Sequence, residues 1–448
     1  MSATLLSAWE NTVRAAPGAV ALIDASTGQS FTRAQLNAEG DAWRVAHGCD
    51  LAGRVVVLAE PSGVAWWRVF LGLLKCEAII APLDPSEPTA AQRATATQLR
   101  AAGRWSAGQW HAMAEVGARR ARAGRRIVKL TSGSTGAPRA LMFTDAQMLA
   151  DGKQVCAGME IRGDDVNFGL IPFGHSYGLG NLVVPLIAQG TPIVCAAVAL
   201  PHAIADAIAR WRPTIFPTVP ALLRALASAE IAPDRLASLR TVISAGAPLA
   251  PEVAVAFHAR LGRKVHSFYG SSETGGITYD RTGDAALTGR SVGTPLPGVR
   301  LLLGRGGRFA VESAAVFTLG NRRRAADGLG AHRPADVAEI SATGELTLLG
   351  RAGRTVKIAG RRLDLAEVER ALRQLPGVRD AFVVPHVGRA EALAAAVATA
   401  ESGDALRAAL RERLAAWKIP KKIVTVAAFP ITARGKTDTA RVRALLDA

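Results

Sequence analysis

Short apolar runs of strand length alternate with helical segments along this 448-residue chain. Near the N-terminus, residues 55–58 and 78–81 are typical of strands, and the apolar stretch around 66–74 between them is typical of a helix. Three more strands of this kind are predicted at 191–195, 214–217 and 239–243. Because such alternation places strands side by side in one direction, it predicts an α/β fold with helices layered on mainly parallel sheets.

The composition changes near Arg351, and this change predicts a second domain. Beyond it the pattern predicts short strands and two helices, at 365–374 and 404–417, within about a hundred residues, which is an ordinary domain size. We therefore predict a large α/β domain at 1–352 and a small α+β domain at 353–448. The part between 85 and 126 is predicted to be short and mostly helical.

The chain carries 54 Lys and Arg against 37 Asp and Glu, a formal net charge of +17. Such a field favours acidic partners in general, among them nucleotides, coenzyme A, an acidic carrier protein and nucleic acid. The densest basic run, 119–126, contains no aromatic residues, which weakens the interpretation as a single-strand binding site. We expect it to be a solvated connector and do not expect nucleic acid as a partner.

Neither the cysteines nor the apolar segments indicate secretion or a membrane span. The four cysteines form no C-x-x-C and no metal-binding spacing, so we expect buried thiols in a reduced compartment. No secretory signal is expected at the N-terminus, and we predict a cytoplasmic location. The stretch 166–205 has no charged residue but is broken by four prolines, so a buried strand–helix–strand unit is expected there.

Directly after a predicted strand at 126–130, the chain reads Thr-Ser-Gly-Ser-Thr-Gly from 131 to 136. Glycines permit tight turns, hydroxyls and bare amides donate hydrogen bonds, and Arg139 adds fixed positive charge. The loop therefore suits a phosphate chain, although its spacing is not that of a Walker A loop. Taken alone, such a run is also typical of a flexible linker.

This loop resembles the phosphate-binding signature of the acyl-adenylate-forming enzymes, which include acyl-CoA synthetases, luciferases and the adenylation domains of peptide synthetases. Further segments resemble the family's other signatures in the expected order: 172–179, 244–249, 268–275, 293–298, Asp336, 350–360 and 435–436. The resemblance covers nearly the whole chain, and His-Ser-Tyr-Gly-Leu at 175–179 is similar to the acyl- and aryl-CoA synthetase branch. It implies that the small C-terminal domain is a mobile lid.

The resemblance also implies which residues hold ATP. The phosphates would be bound by Thr131, Ser132, Gly133, Ser134, Thr135, Gly136, Arg139 and Ser272. The adenine would be bound by Gly246, Ala247, Pro248, Tyr269 and Gly270, and the ribose by Asp336 and Arg351. Two positions depart from the family pattern, since Arg139 stands in place of Lys and Ala140 in place of Gly.

Three residues are implied to take part in the chemistry. Glu273 would bind Mg²⁺, since a hard carboxylate suits a cation that bridges phosphates. Lys436 would contact both the attacking carboxylate and an α-phosphate oxygen. His175 would be a gate between the acyl pocket and the nucleotide, with a hydrogen-bonded core histidine as the open alternative. Gly353 is implied as the hinge of the lid and Gly360 as part of a pantetheine channel.

The implied activity is ATP-dependent activation of a fatty or aryl carboxylic acid to acyl-AMP, followed by transfer to a pantetheine thiol. The thiol would belong to coenzyme A or to an acidic acyl carrier protein. No acid lies between Asp165 and Asp206 to pair with a substrate ammonium, which disfavours an amino acid. The alternative is a catalytically degenerate relative that binds nucleotide or nucleic acid. Arg139, Ala140 and the short segment at 85–126 would be consistent with this alternative.

Overall fold

The structure is a computed structural model and describes residues 3–48, 50–113, 124–131, 139–318, 329–351, 355–358, 361–386, 392–432 and 437–447. The chain forms two compact units. The first comprises Met1–Leu302, Ala310–Arg333 and Ile340–Thr347, and the second comprises Leu303–Phe309, Pro334–Glu339 and Leu348–Ala448. The predicted boundary between residues 352 and 353 lies outside the described residues and stays a prediction.

The strands of the described residues are β1 (Val20–Asp24), β2 (Ser30–Thr32), β3 (Val55–Ala59), β4 (Ile79–Pro82), β5 (Gly103–Ser106), β6 (Gln109–Ala112), β7 (Arg125–Thr131), β8 (Arg139–Thr144), β9 (Asn167–Gly169), β10 (Ile193–Cys195), β11 (Ile215–Thr218), β12 (Thr241–Ser244), β13 (Val265–Ser271), β14 (Gly275–Tyr279), β15 (Thr294–Pro295), β16 (Arg300–Leu303), β17 (Phe309–Ser313), β18 (Gly330–His332), β19 (Asp336–Ile340), β20 (Leu346–Arg351), β21 (Thr355–Ile358), β22 (Arg361–Asp364), β23 (Asp380–Pro385), β24 (Leu393–Ala398) and β25 (Lys422–Val426). The helices are α1 (Leu5–Ala15), α2 (Arg33–His47), α3 (Val64–Lys75), α4 (Thr89–Gln98), α5 (Asp145–Gly158), α6 (Ser176–Gly178), α7 (Val184–Gln189), α8 (Pro201–Trp211), α9 (Pro220–Ser228), α10 (Pro251–Leu261), α11 (Asp284–Thr288), α12 (Leu365–Arg373), α13 (Gly403–Arg411) and α14 (Thr439–Asp447).

The first unit contains a six-stranded sheet in the order β6-β5-β3-β4-β7-β8. The four central strands are parallel, and β6 and β8 pair antiparallel at the two edges. Every residue of β3 and β4 is buried, which explains their continuous apolar sequences. Helix α3 between them places Trp66, Trp67 and Phe70 in the core. The predicted strand–helix–strand unit is confirmed.

The expectation of a mostly helical segment at 85–126 is wrong in part. Helix α4 is present, but a hairpin of β5 and β6 follows it. Ala107 and Gly108 form its two-residue turn, and both have positive φ, as a type I′ hairpin turn requires. The sequence hides this hairpin because β5 reads Gly-Arg-Trp-Ser, in which the buried positions include the charged Arg104.

A nine-stranded sheet in the order β15-β14-β13-β12-β11-β9-β10-β1-β2 forms the rest of this unit's framework. Strands β13, β12, β11, β9, β10 and β1 are parallel, and the antiparallel pairings lie at the two ends. The predicted strand–helix–strand unit in 166–205 is β9, then α6, a π-helical turn at Leu179–Val183 and α7, then β10. Among the described residues, no helix is long and apolar enough to cross a membrane.

Smaller sheets complete the chain: β16-β17-β18, β19-β20, β21-β22 and β23-β24-β25. In the second unit, α12 and α13 pack on one face of the β23-β24-β25 sheet around Val368, Val383 and Leu410, and Val442 of α14 packs on the other. The predicted helix at 404–417 is shorter than expected, since α13 ends at Arg411 and Ala415 is extended before a 3₁₀ turn at Ala416–Lys418. The two-part α/β fold with mainly parallel large sheets is confirmed.

Candidate functional site

The segment 172–177 joins the carboxyl ends of the two large sheets. It follows β9 of the nine-stranded sheet, and it contacts residues that follow strands of the six-stranded sheet. The N–H of Phe173 donates to Oγ of Ser62, after β3, at 2.9 Å, and Nε2 of His175 lies 3.2 Å from Oδ2 of Asp84, after β4. Ligands of open α/β sheets bind outside the carboxyl ends of the strands, so this segment marks the candidate site.

His175 and Asp84 form a hydrogen-bonded pair in which both side chains are largely buried. Asp84 also accepts hydrogen bonds from the N–H and the hydroxyl of Ser86, at 2.9 and 2.7 Å. The hydrogen bond from His175, together with those from Ser86, holds the pKa of the Asp84 carboxyl well below its usual range although burial opposes this. Asp84 is therefore ionised at neutral pH and accepts the Nε2 proton of His175.

The role of His175 as a gate stays a prediction. Its side chain is hydrogen-bonded, as expected of a core histidine, yet it retains 19% exposure at the strand ends. Sequence reasoning missed Asp84 altogether. The signal that could have found it is its position, directly after a buried strand whose carboxyl end lies at the site.

The turn at 272–274, between β13 and β14, carries the predicted Mg²⁺ ligand Glu273. Fully buried Thr274 holds this turn, since its Oγ1 accepts from the N–H of Ser271 at 3.3 Å and donates to the Gly275 carbonyl at 2.9 Å. The hydroxyl of Ser272 lies 2.9 Å from that of Ser176. The turn is thereby joined to the segment 172–177.

The residues of this turn fit a magnesium ion. Glu273 is half-buried at the turn. Among the described residues, no group of three His, Cys, Asp or Glu side chains could hold a metal ion. Mg²⁺ in nucleotide sites is commonly bound by one or two protein carboxylates together with phosphates and water, so Glu273 alone suits it.

The predicted adenine residues lie at the ends of two adjacent parallel strands. Gly246, Ala247 and Pro248 are exposed and follow β12, and Gly246 has a φ of +84°, which favours glycine. Tyr269 and Gly270 lie in β13, where a Cβ on Gly270 would be 2.5 Å from the carbonyl oxygen of Gly275. The fold thus brings together the two segments to which adenine binding is assigned.

The predicted phosphate loop lies between β7 and β8. Thr131 ends β7 and Arg139 begins β8, and these two residues are register partners at the base of the loop. Arg139 is exposed. Ala140 pairs with Leu130 and has no positive φ, so the backbone there does not require the glycine of the family pattern.

A buried ion pair connects the strand before this loop to the hairpin of Glu273. Nζ of Lys129 lies 3.4 Å from Oδ2 of Asp151 on α5, and the two side chains are 1% and 4% exposed. Oδ1 of Asp151 accepts the N–H of Gly276, on β14, at 3.0 Å. Nζ of Lys129 also lies 4.6 Å from the ring centre of Phe143. Sequence reasoning missed this pair, because the pairing of Lys129 with Asp151 depends on how strand β7 packs against α5.

The predicted ribose residues belong to the second unit. Asp336 begins β19 and Arg351 ends β20, so in this two-stranded sheet both lie at the end opposite the connecting loop. The remaining predicted site residues fall outside the described residues and stay predictions: Ser132, Gly133, Ser134, Thr135, Gly136, Gly353, Gly360 and Lys436.

The described cysteines Cys76, Cys156 and Cys195 are buried. Burial raises the pKa of the Cys156 and Cys195 thiols to about 12. Because the thiolate is the nucleophilic form, neither of these two residues is suited to covalent catalysis at neutral pH.

The sequence of this chain matches two models of AMP-binding enzyme domains. Residues 126–305 match the sequence model of the AMP-binding enzymes, and residues 367–436 match that of the AMP-binding enzyme C-terminal domain. Feruloyl-CoA synthase of an Amycolatopsis species is 29% identical over 340 residues, covering 71% of this chain and 69% of the relative. The L-proline–[L-prolyl-carrier protein] ligase of Streptomyces coelicolor is 28% identical over 342 residues, covering 70% and 64%. The crystal structure of ATP-bound MatB from Rhodopseudomonas palustris superposes with a TM-score of 0.84 at 21% identity, covering 99% of each chain.

Proposed function

Since this chain belongs to the superfamily of acyl-adenylate-forming enzymes, we propose that it converts a fatty or aryl carboxylic acid to its acyl-AMP and then to a thioester. In the first step a carboxylate oxygen bonds to the α-phosphorus of ATP, and the bond to the bridging oxygen breaks to release pyrophosphate. In the second step a pantetheine sulfur bonds to the acyl carbon, and AMP leaves with the bonding electron pair.

The first step brings two anions together, so its barrier depends on neutralising and aligning them. Glu273 would hold Mg²⁺, which supplies charge neutralisation across the phosphates when bound. The hydroxyl of Ser272 lies 2.9 Å from the hydroxyl of Ser176. The segment 172–177 would therefore orient the Ser272 hydroxyl that is proposed to contact the α-phosphate. Lys436 is proposed to contact both reacting anions, because one ammonium can donate to two oxygens.

The observation that carries this proposal is the bridge formed by the segment 172–177. Its contacts reach Ser62 and Asp84 at one sheet and Ser272 at the turn of Glu273 in the other. An acid bound against this segment would lie beside the predicted Mg²⁺ ligand. Such a geometry suits in-line attack on a nucleotide held at the same strand ends.

We propose fatty or aryl acids because, among the described residues near 172–177, no carboxylate is free to pair with the ammonium of an amino-acid substrate. Asp84 is the acid that lies there, and it is engaged by His175 and by Ser86. An ammonium buried without a partner is costly. The likeness to a feruloyl-CoA synthase supports an aryl acid.

The acceptor is proposed to be coenzyme A or the phosphopantetheine of an acidic carrier protein. Relatives named as ligases of each kind match this chain, and its excess of basic residues suits either anionic partner. Titration with salt separates the two. A carrier protein recognised by charge should lose affinity steeply between low and physiological salt, because exposed charges are screened.

The proposal is tested by measuring pyrophosphate release from ATP and Mg²⁺ with fatty, aryl and amino acids, without a thiol. We expect release with a fatty or an aryl acid and none with amino acids. Release with amino acids only would overturn the substrate class. No release with any acid, with ATP still bound, would support the alternative of a nucleotide-binding protein without catalysis.

A further inference from the structure

The first unit also has a basic cleft, formed by residues that the proposed catalysis does not use. Helix α4 and the hairpin of β5 and β6 border a cleft of about 500 Å³. Its lining residues are Arg93, Thr97, Arg104, His111, Ala112 and Met113. The lining residues within the described part of the chain include two guanidinium groups and an imidazole but no carboxylate.

Arg104 lines this cleft and is only 3% exposed. Its Nη1 donates to Oε1 of Gln92 at 2.5 Å and to the hydroxyl of Ser106 at 2.7 Å, and both acceptors are uncharged. Its Nε is buried and has no hydrogen-bond partner among the described residues. A buried cation normally lies against an anion, since the loss of hydration is otherwise uncompensated.

Arg93 and His111 place further basic groups beside the buried charge of Arg104. Burial lowers the pKa of the Arg104 guanidinium, and the positive charge of Arg93 lowers it further. His111 is the cross-strand partner of Arg104 in the hairpin, so the two side chains lie on the same face. Within the described part of the chain, no carboxylate forms an ion pair with any of these three groups.

We propose that this cleft is a binding site for the phosphate group of a small molecule. Arginine's planar fork of donors matches phosphate oxygens, and a charge-assisted hydrogen bond is about twice as strong as a neutral one. The cleft lies within the range of about 300–1,000 Å³ that is typical of small-molecule sites. A phosphate bound there would lie among the basic side chains of Arg93, Arg104 and His111.

The test measures binding of inorganic phosphate and of ribose 5-phosphate to the full chain by calorimetry, at constant ionic strength set with chloride. The variant is the double substitution Arg93→Gln with His111→Gln, which leaves the buried Arg104 in place so that the fold is preserved. The matched control is Arg68→Gln, an exposed arginine on α3 whose ion pair with Glu39 is elsewhere on the same unit.

We expect the dissociation constant of the phosphate ligand to rise at least about tenfold in the double variant and to stay unchanged in the control. Tighter binding of ribose 5-phosphate would identify an organic phosphate as the ligand, and tighter binding of inorganic phosphate would identify the free ion. Equal affinity in the wild type and the double variant, or no binding of either probe, would overturn the proposal. Pyrophosphate release is expected to be the same in all three proteins, so this result is independent of the proposed catalysis.

Discussion

At the scale of single residues, the pair of Asp84 and His175 determines how the candidate site presents its imidazole. Because Asp84 accepts the Nε2 proton, the ring is held in one orientation with Nδ1 left for other contacts. Asp84 remains ionised because it accepts three hydrogen bonds from His175 and Ser86. It therefore acts as a positioning residue for His175.

Replacing this carboxylate tests its role. We expect Asp84→Asn to lower kcat/KM for pyrophosphate release about 10- to 100-fold, since a hydrogen bond to a charged group contributes about 1.5–3 kcal/mol. The matched control is Asp41→Asn, whose carboxylate pairs with Lys75 away from the site. Unchanged kinetics in Asp84→Asn would show that the pair only supports the fold.

The lowered pKa of Asp84 also predicts that its contribution to stability depends on pH. The folded-state pKa of Asp84 is depressed, so the stabilisation it gives is complete above the unfolded value of about 3.9 and is lost as the pH falls through the folded value. The difference in melting temperature between the wild type and Asp84→Asn should thus be constant near neutral pH and shrink below about pH 4. A difference that grows on acidification would contradict this assignment.

Glu273 is the residue on which metal binding is predicted to depend. Glu273→Gln should lower pyrophosphate release about 100-fold or more, because the amide lacks the charge that holds Mg²⁺ against the phosphates. The melting temperature should hardly change, since the side chain is only half-buried and Gln has nearly the same shape. Glu252→Gln, an exposed change in the same unit, is the control. A variant that retains full activity would remove Glu273 from the site.

At the scale of secondary-structure elements, the buried pair of Lys129 and Asp151 joins three parts of the site framework. Lys129 lies in β7, two residues before its end, and Asp151 lies in α5 and binds the backbone of β14. A Cβ on Gly180, in the π-helical turn, would lie 3.1 Å from Asp151. The strand of the phosphate loop, the hairpin of Glu273 and the turn after His175 therefore meet at one carboxylate.

Breaking this pair is expected to destabilise the first unit by about 3–5 kcal/mol, because either single change leaves one charge buried alone. The variants are Lys129→Met and Asp151→Asn, followed by urea unfolding through tryptophan fluorescence. Lys129→Met combined with Asp151→Asn should be less destabilised than the sum of the single variants. Strict additivity of the two changes would show that the groups do not interact.

Sequence patterns predicted strands that contain a run of apolar residues and missed a hairpin that buries a charged residue. The strands β3, β4, β11 and β12 were found because each contains consecutive apolar residues, although β11 and β12 also bury hydroxyl side chains. The hairpin of β5 and β6 was missed because Arg104 and Ser106 occupy buried strand positions. Asp84, Lys129 and Asp151 were missed for a related reason, since their roles depend on contacts between distant segments.

At the scale of the whole molecule, the proposed activity requires residues from both compact units. Glu273, Ser272 and His175 lie in the first unit, and Asp336 lies in the second. Lys436 belongs to the C-terminal part of the chain, about 300 positions after the phosphate loop. The residues proposed for the activity are therefore divided between the two units.

Lys436→Ala separates the two proposed steps. Formation of acyl-AMP should fall about 100-fold or more, since the charge that offsets the two anions is lost. Thiol transfer from supplied acyl-AMP should be largely retained, because its leaving group needs positioning more than this charge. Lys421→Ala, in the same unit, serves as the control. Equal loss in both steps would assign Lys436 to the fold or to acceptor binding.

The central claim, attack of a carboxylate on the α-phosphorus, is tested most directly by isotope transfer. An acid that supports pyrophosphate release is supplied with ¹⁸O in both carboxylate oxygens, together with ATP, Mg²⁺ and the thiol acceptor, and the products are analysed by mass spectrometry. The account predicts one ¹⁸O atom in AMP and none in pyrophosphate, because the bridging oxygen of acyl-AMP stays with phosphorus when the thiol attacks. Label in orthophosphate, with ADP as the other product, would contradict it.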